Sequence, residues 1–146
     1  MKVHLAGLTA TLHEHLPTLL PAHAVLGASV AEFADDDRFA DRRRGDYVYV
    51  QGRGDRLHAF LAVRDDTPED VIARFADADA NWCWLVAWEE DVTPALVERA
   101  RSRALGVVSA HRDGRLERRE DAPPRAGIFI KAYPALRARW RELSDW

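Results

Sequence analysis

Lysine is almost missing from this chain. Only Lys2 and Lys131 occur among 146 residues, so arginine supplies 19 of the 21 basic side chains. A GC-rich genome is the simpler account of that skew; selection for bidentate phosphate contacts is the functional one. Under either account, almost any mechanism that needs a lysine is closed off. Cysteine is scarcer still, with Cys83 alone. An intrachain disulfide and a cysteine-based zinc site are therefore excluded. Cys83 stands between tryptophans in an apolar run, which predicts a buried, inert thiol rather than a nucleophile. No apolar run reaches the roughly 18 residues of a membrane span, and no signal-peptide pattern is present. The expectation is a cytoplasmic protein with no membrane partner. A basic excess is also lacking: the net charge is -3. Nucleic-acid binding would then need a local patch of arginines.

What is present fits one globular domain. Apolar residues make up 47% and charged residues 31%, and 146 residues can bury a substantial core. Leu5, Leu8, Leu12 and Leu16 recur at helical spacing and predict a helix over 2–16, ended by Pro17 and Pro21. Residues 24–33 are small and apolar and predict a first strand. The charged stretch 34–45 predicts a surface loop. Val and Tyr alternate from Asp46 to Gln51, a strand signal, and the Gly52–Asp55 turn leads to a second strand over 57–64.

Thr67-Pro68-Glu69-Asp70 has the form of a helix start, with Thr67 as cap, and predicts a helix over 68–80. Trp82 to Trp88 is apolar on both faces, as in a central strand. Thr93-Pro94 repeats the cap logic for a helix over 94–104. A strand over 105–110, a tight turn and an edge over 116–120 follow. Pro123 and Pro124 break the chain before a terminal helix bearing Leu136, Trp140 and Leu143. The domain then divides into a helix and connector (1–21), a core (24–121) and an extension (122–146). The order predicts an α/β fold: a central mixed β-sheet with helices on both faces.

Two stretches carry a resemblance. One is Arg44-Gly45-Asp46-Tyr47-Val48, in which an acid opens an apolar strand. The other is Leu57-His58-Ala59-Phe60, which leads to Ala62-Val63-Arg64. With the element order around them, they resemble the PD-(D/E)XK, or restriction-endonuclease-like, nuclease superfamily over roughly residues 24–121. In that superfamily the first strand's Asp and a Glu/Asp-x-Lys on the next strand hold a divalent metal and position water. The resemblance makes Asp46 the metal-binding Asp. The Glu-x-Lys position falls on Ala62, which cannot bind metal, and Arg64, which stays protonated and cannot act as a base. Glu32 matches an upstream acid that some members use. Asp66 offers a migrated carboxylate. A magnesium or manganese site from such carboxylates needs more than one acid.

Other constellations read as structure. His13-Glu14-His15 places its histidines at i and i+2, which diverge on a helix, so a solvated face is expected. The serines lie in no nucleophile-elbow pattern, and Gly52-Arg53-Gly54 is a turn rather than a phosphate loop. Trp82, Trp84 and Trp88 are core residues first, because stacking on bases requires exposure. Arg42, Arg43, Arg44, Arg53 and Arg56, joined by Arg64, form the candidate basic patch for phosphates. An ordinary surface balanced by nearby aspartates is the competing account.

Three functions follow. The leading one is a catalytically degenerate PD-(D/E)XK-like domain that binds DNA or another protein, in a repair or defence assembly, with no cofactor. The second is an active metal-dependent nuclease with a site migrated onto Glu32, Asp46 and Asp66. The third is a small immunity-type binding protein that shares only the α/β order.

Overall fold

Alternation along the strands decides which side chains meet which helix. On the strand Trp82–Trp88, Trp84, Val86 and Trp88 join one buried cluster and Cys83, Leu85 and Ala87 join another. The computed structural model describes residues 2–20, 25–29, 45–51 and 56–144. Its elements are α1 (Lys2–Leu19), β1 (Val25–Ser29), β2 (Tyr47–Gln51), β3 (Arg56–Ala62), α2 (Glu69–Phe75), β4 (Trp82–Trp88), α3 (Pro94–Ser102), β5 (Gly106–Ala110), β6 (Leu116–Glu120) and α4 (Pro134–Ser144). The six strands lie in chain order in one sheet. Pairing is parallel for β3–β4 and β4–β5 and antiparallel elsewhere. Each parallel step is bridged by a helix, α2 or α3, as parallel neighbours require. The sheet is mixed, as the element order predicted.

Helices cover both faces. Leu8, Leu12 and Leu16 of α1, with Leu20 just beyond, pack on Tyr47, Tyr49, Phe60, Trp84 and Trp88. Ile72 and Phe75 of α2, Leu96 and Ala100 of α3, and Leu136 and Trp140 of α4 pack on Val48, Leu61, Leu85 and Val107.

Several boundaries differ from the sequence expectation. Pro17 lies inside α1 instead of ending it. The helical path continues past it, with the Leu20 N–H donating to Leu16 O at 2.7 Å. Leu16 and Leu20 are both buried, and that burial outweighs the one backbone bond a proline forfeits. α2 is shorter than expected and Thr67 does not cap it: Pro68 stands at the cap with no side-chain bond. The Thr67 hydroxyl instead accepts the Arg64 N–H at 2.8 Å, closing the turn after β3. Thr93 does cap α3, accepting the Leu96 N–H at 3.1 Å. The first strand appears as Val25–Ser29. The remainder of the stretch 24–33, residues 34–44 of the loop expected over 34–45, and the Gly52–Asp55 turn lie outside the described residues.

Candidate functional site

The position that resembles a nuclease site lies where β2 begins and β3 ends. Gly45 has φ of +73°, and a Cβ there would stand 2.6 Å from Phe60 O, so only glycine fits. That close approach brings Asp46 against β3. The Asp46 N–H donates to Phe60 O at 2.7 Å. Its carboxylate Oδ2 accepts the Ala62 N–H at 2.9 Å. The side chain thus stands in for a strand carbonyl and extends the β2–β3 ladder by one rung. Val63, next along, is buried and donates its N–H to Val86 O at 2.9 Å. Arg64 and Asp66 are exposed in the turn that follows.

The residues present do not fit the divalent metal that the resemblance implies. One Asp46 oxygen is already occupied, and neither Ala62 nor Arg64 has a side-chain lone pair to offer. Among the described residues no group of three or more His, Cys, Asp or Glu is placed to hold a metal ion. Glu32, Arg42, Arg43, Arg44 and Arg53 lie outside the described residues. Arg56 opens β3, whereas Arg64 follows its far end. The two therefore sit at opposite ends of the strand and share no single patch.

The same end of the sheet is tied together by structural bonds. The Thr93 hydroxyl donates to Asp65 Oδ1 at 2.7 Å. Arg99 donates to Thr67 O at 2.6 Å and to Glu69 Oε2 at 2.9 Å. The Arg99 bond, above all, holds the Glu69 carboxyl below its ordinary value. Asp65 is thus a clamp onto the start of α3.

A second cluster lies beyond β5. Ser109 Oγ is 3.4 Å from His111 Nε2, and His111 Nδ1 pairs with the Glu89 carboxylate. The order hydroxyl, imidazole, carboxylate has the form of a nucleophile relay. Ser109, however, is fully buried, so no substrate reaches its oxygen and the cluster reads as a polar tie between β4 and β5. Cys83 is equally closed off: burial pushes its thiol up to about 11, the opposite of an activated nucleophile.

The opposite end of the sheet holds the groove that sequence reasoning missed. Register places Tyr49 opposite His58 and His58 opposite Trp82. The His58 ring stacks on Trp82 with centroids 4.3 Å apart and planes at 13°. The Trp84 indole N–H donates to His58 Nδ1 at 3.0 Å. An indole N–H only donates, so Nδ1 accepts and the neutral ring's proton sits on Nε2. Nε2 then donates to Gln51 Oε1 at 3.2 Å, while the Gln51 amide nitrogen donates to Leu20 O at 3.1 Å. Burial pushes the His58 imidazole down to about 3, helped by Arg118 and Arg56. His58 is thus a neutral, fully engaged ring with no proton to exchange near neutral pH.

Around this stack lies a groove of about 320 Å³ between the end of α1, the β2–β3 hairpin and β6. Its walls include Arg56, Trp82, Arg118 and Asp121. Trp82 is half-buried, whereas Trp84 and Trp88 are buried. The core assignment of the tryptophans therefore holds for two of the three. The missed signal was cross-strand register: pairing Gln51 with Arg56 sets Tyr49 against His58.

No family model matches the sequence, and no curated protein matches it. A solved structure does resemble it: SPO1766, a protein of unknown function from Silicibacter pomeroyi. The two align with a TM-score of 0.56 at 16% identity, covering 94% of this chain and 89% of that one. At that identity the likeness establishes a shared α/β fold and no shared activity.

Proposed function

We propose that this chain is a non-catalytic domain of the PD-(D/E)XK kind that binds nucleic acid, in the setting of repair or defence. The observation that carries the reading is the Asp46–Ala62 hydrogen bond. It gives the acid that matches the superfamily's metal-binding Asp a structural task, at a position where β3 ends on an alanine and the turn after it supplies an arginine. The order α1-β1-β2-β3-α2-β4, with β2–β3 antiparallel and β3–β4 parallel, supports the resemblance. The arginines that flank an aromatic groove support nucleic acid over an uncharged partner.

Three measurements test this. Calorimetric titration with magnesium and with manganese should give no saturable heat, and labelled DNA should remain intact in the presence of either metal. Micromolar metal binding abolished by Asp46→Ala would restore the nuclease alternative. Fluorescence anisotropy with single-stranded and duplex oligonucleotides should show binding that weakens as salt rises. Absence of binding at low salt would remove the nucleic-acid role and leave a protein partner.

A further inference from the structure

The groove at the Trp82 end of the sheet is suited to one kind of ligand. His58 has both ring nitrogens engaged, and the Leu20 carbonyl already accepts from both Tyr49 and Gln51. Neither can take part in acid–base chemistry. What the groove still offers is a flat aromatic surface and guanidinium donors. Arg56 is exposed and makes no ion pair with a described residue. Arg118 uses one nitrogen on Leu19 O at 3.2 Å and another on Asp121 at 3.5 Å, leaving part of its five-donor fork to spare. The Arg118 guanidinium stands 5.8 Å from the Trp84 ring centroid. Both arginines act on His58 as neighbouring positive charges.

We infer that this groove binds one nucleotide unit, its base stacked on Trp82 and its phosphate held by Arg56 and Arg118. The inference rests on the nucleic-acid reading above and assigns it a site at the end of the sheet opposite Asp46. A volume of about 320 Å³ is at the lower end of small-ligand sites, roughly 300–1,000 Å³. It suits a single unstacked nucleotide and not a duplex. An aromatic platform beside arginines is the combination that holds single strands, because every base has a π face and every phosphate accepts two guanidinium bonds.

The chemistry is shared by a free mononucleotide and by a nucleotide within a single strand, and a titration separates them. AMP, ribose 5-phosphate, a single-stranded thymidine decamer and a glutamate decamer are each added to the full chain at low salt, with tryptophan fluorescence as the readout. AMP should quench saturably and ribose 5-phosphate should bind at least tenfold more weakly, because it lacks the base. A decamer binding far more tightly than AMP assigns the site to single strands; equal affinity assigns it to free nucleotides. Arg56→Gln, an exposed change that leaves the core intact, should weaken AMP about tenfold. Trp82→Leu, checked by circular dichroism for a folded sheet, should do the same. If the decamer binds but Arg56→Gln and Trp82→Leu leave its affinity unchanged, the groove assignment is wrong while the nucleic-acid reading stands. If neither AMP nor the decamer binds, the groove assignment fails, and duplex binding in the anisotropy titration decides the nucleic-acid reading. Tighter binding of the glutamate decamer than of either would identify an acidic peptide as the ligand and overturn the inference.

Discussion

Asp46 and Ala62 are joined side chain to backbone, carboxylate to N–H, at 2.9 Å across the start of β2 and the end of β3. This bond makes Asp46 part of the sheet. Asp46→Ala should cost about 1 kcal/mol of stability, the usual net worth of one intramolecular hydrogen bond. Asp46→Asn keeps an acceptor oxygen and should recover most of that loss in urea unfolding. A metal-binding aspartate would behave otherwise, with Asn as damaging as Ala to metal affinity and no stability difference tied to the acceptor.

His58 gives the fold a pH dependence whose sign is fixed by its environment. Burial first, then Arg118 and Arg56, depress its folded pKa to about 3, against an unfolded value near 6.5. Above pH 6.5 both states are neutral and His58 contributes no slope. As pH falls from 6.5 toward 3, the unfolded imidazole takes a proton that the folded one refuses, so stability falls. The slope approaches about 1.4 kcal/mol per pH unit. Urea unfolding at pH 6, 5 and 4 should show that slope reduced by nearly one proton in His58→Gln. An unchanged slope would mean that the folded ring titrates normally.

The parts legible in the sequence were those that local patterning decides. The Thr93-Pro94 cap, the alternation of Trp82 to Trp88 and the helix-bridged strand order follow from side chains within a few residues of one another, and the structure bears them out. Thr67 failed as a cap because its hydroxyl had a nearer donor, the Arg64 N–H, once β3 turned. Pro17 failed as a helix end because the benefit of burying Leu20 comes from the sheet, which no local pattern displays. The groove escaped notice for the same reason. Its members include Leu19, Gln51, His58, Trp82 and Arg118, which only strand register and the position of α1 bring together.

Gly106 is required by a neighbour rather than by its own backbone angle. It sits opposite Trp84 in the β4–β5 pair. A Cβ there would collide with the Trp84 ring and stand 2.7 Å from the Ala122 nitrogen. Trp84 cannot retreat easily, since its ring stacks on Phe60 with centroids 6.2 Å apart and its indole N–H is held by His58. Gly106→Ala should therefore cost about 1–3 kcal/mol, the range for overpacking a filled core. Near-ultraviolet circular dichroism should change with it as the indole is displaced. A wild-type spectrum and midpoint would show that the Trp84 ring has room to move.

Ala104 presents the opposite case, a residue where glycine is wanted. After α3 the chain turns with Ala104 at φ of 58°, the left-handed region, among described residues the one non-glycine there. The Leu105 N–H closes the helix end onto Ala100 O at 2.9 Å, and Leu105 is buried. The turn is thus imposed by the packing of β5. An L-residue in this conformation costs about 1–2 kcal/mol, because its Cβ crowds the backbone. Glycine avoids that strain but loses more chain entropy on folding, about 0.5–1 kcal/mol relative to alanine. The difference favours glycine. Ala104 is exposed, so removing its methyl group sacrifices little buried surface. Ala104→Gly should raise stability by up to about 1 kcal/mol, read as a higher urea midpoint with an unchanged slope. A lower midpoint would mean that the left-handed turn is not what the folded chain adopts.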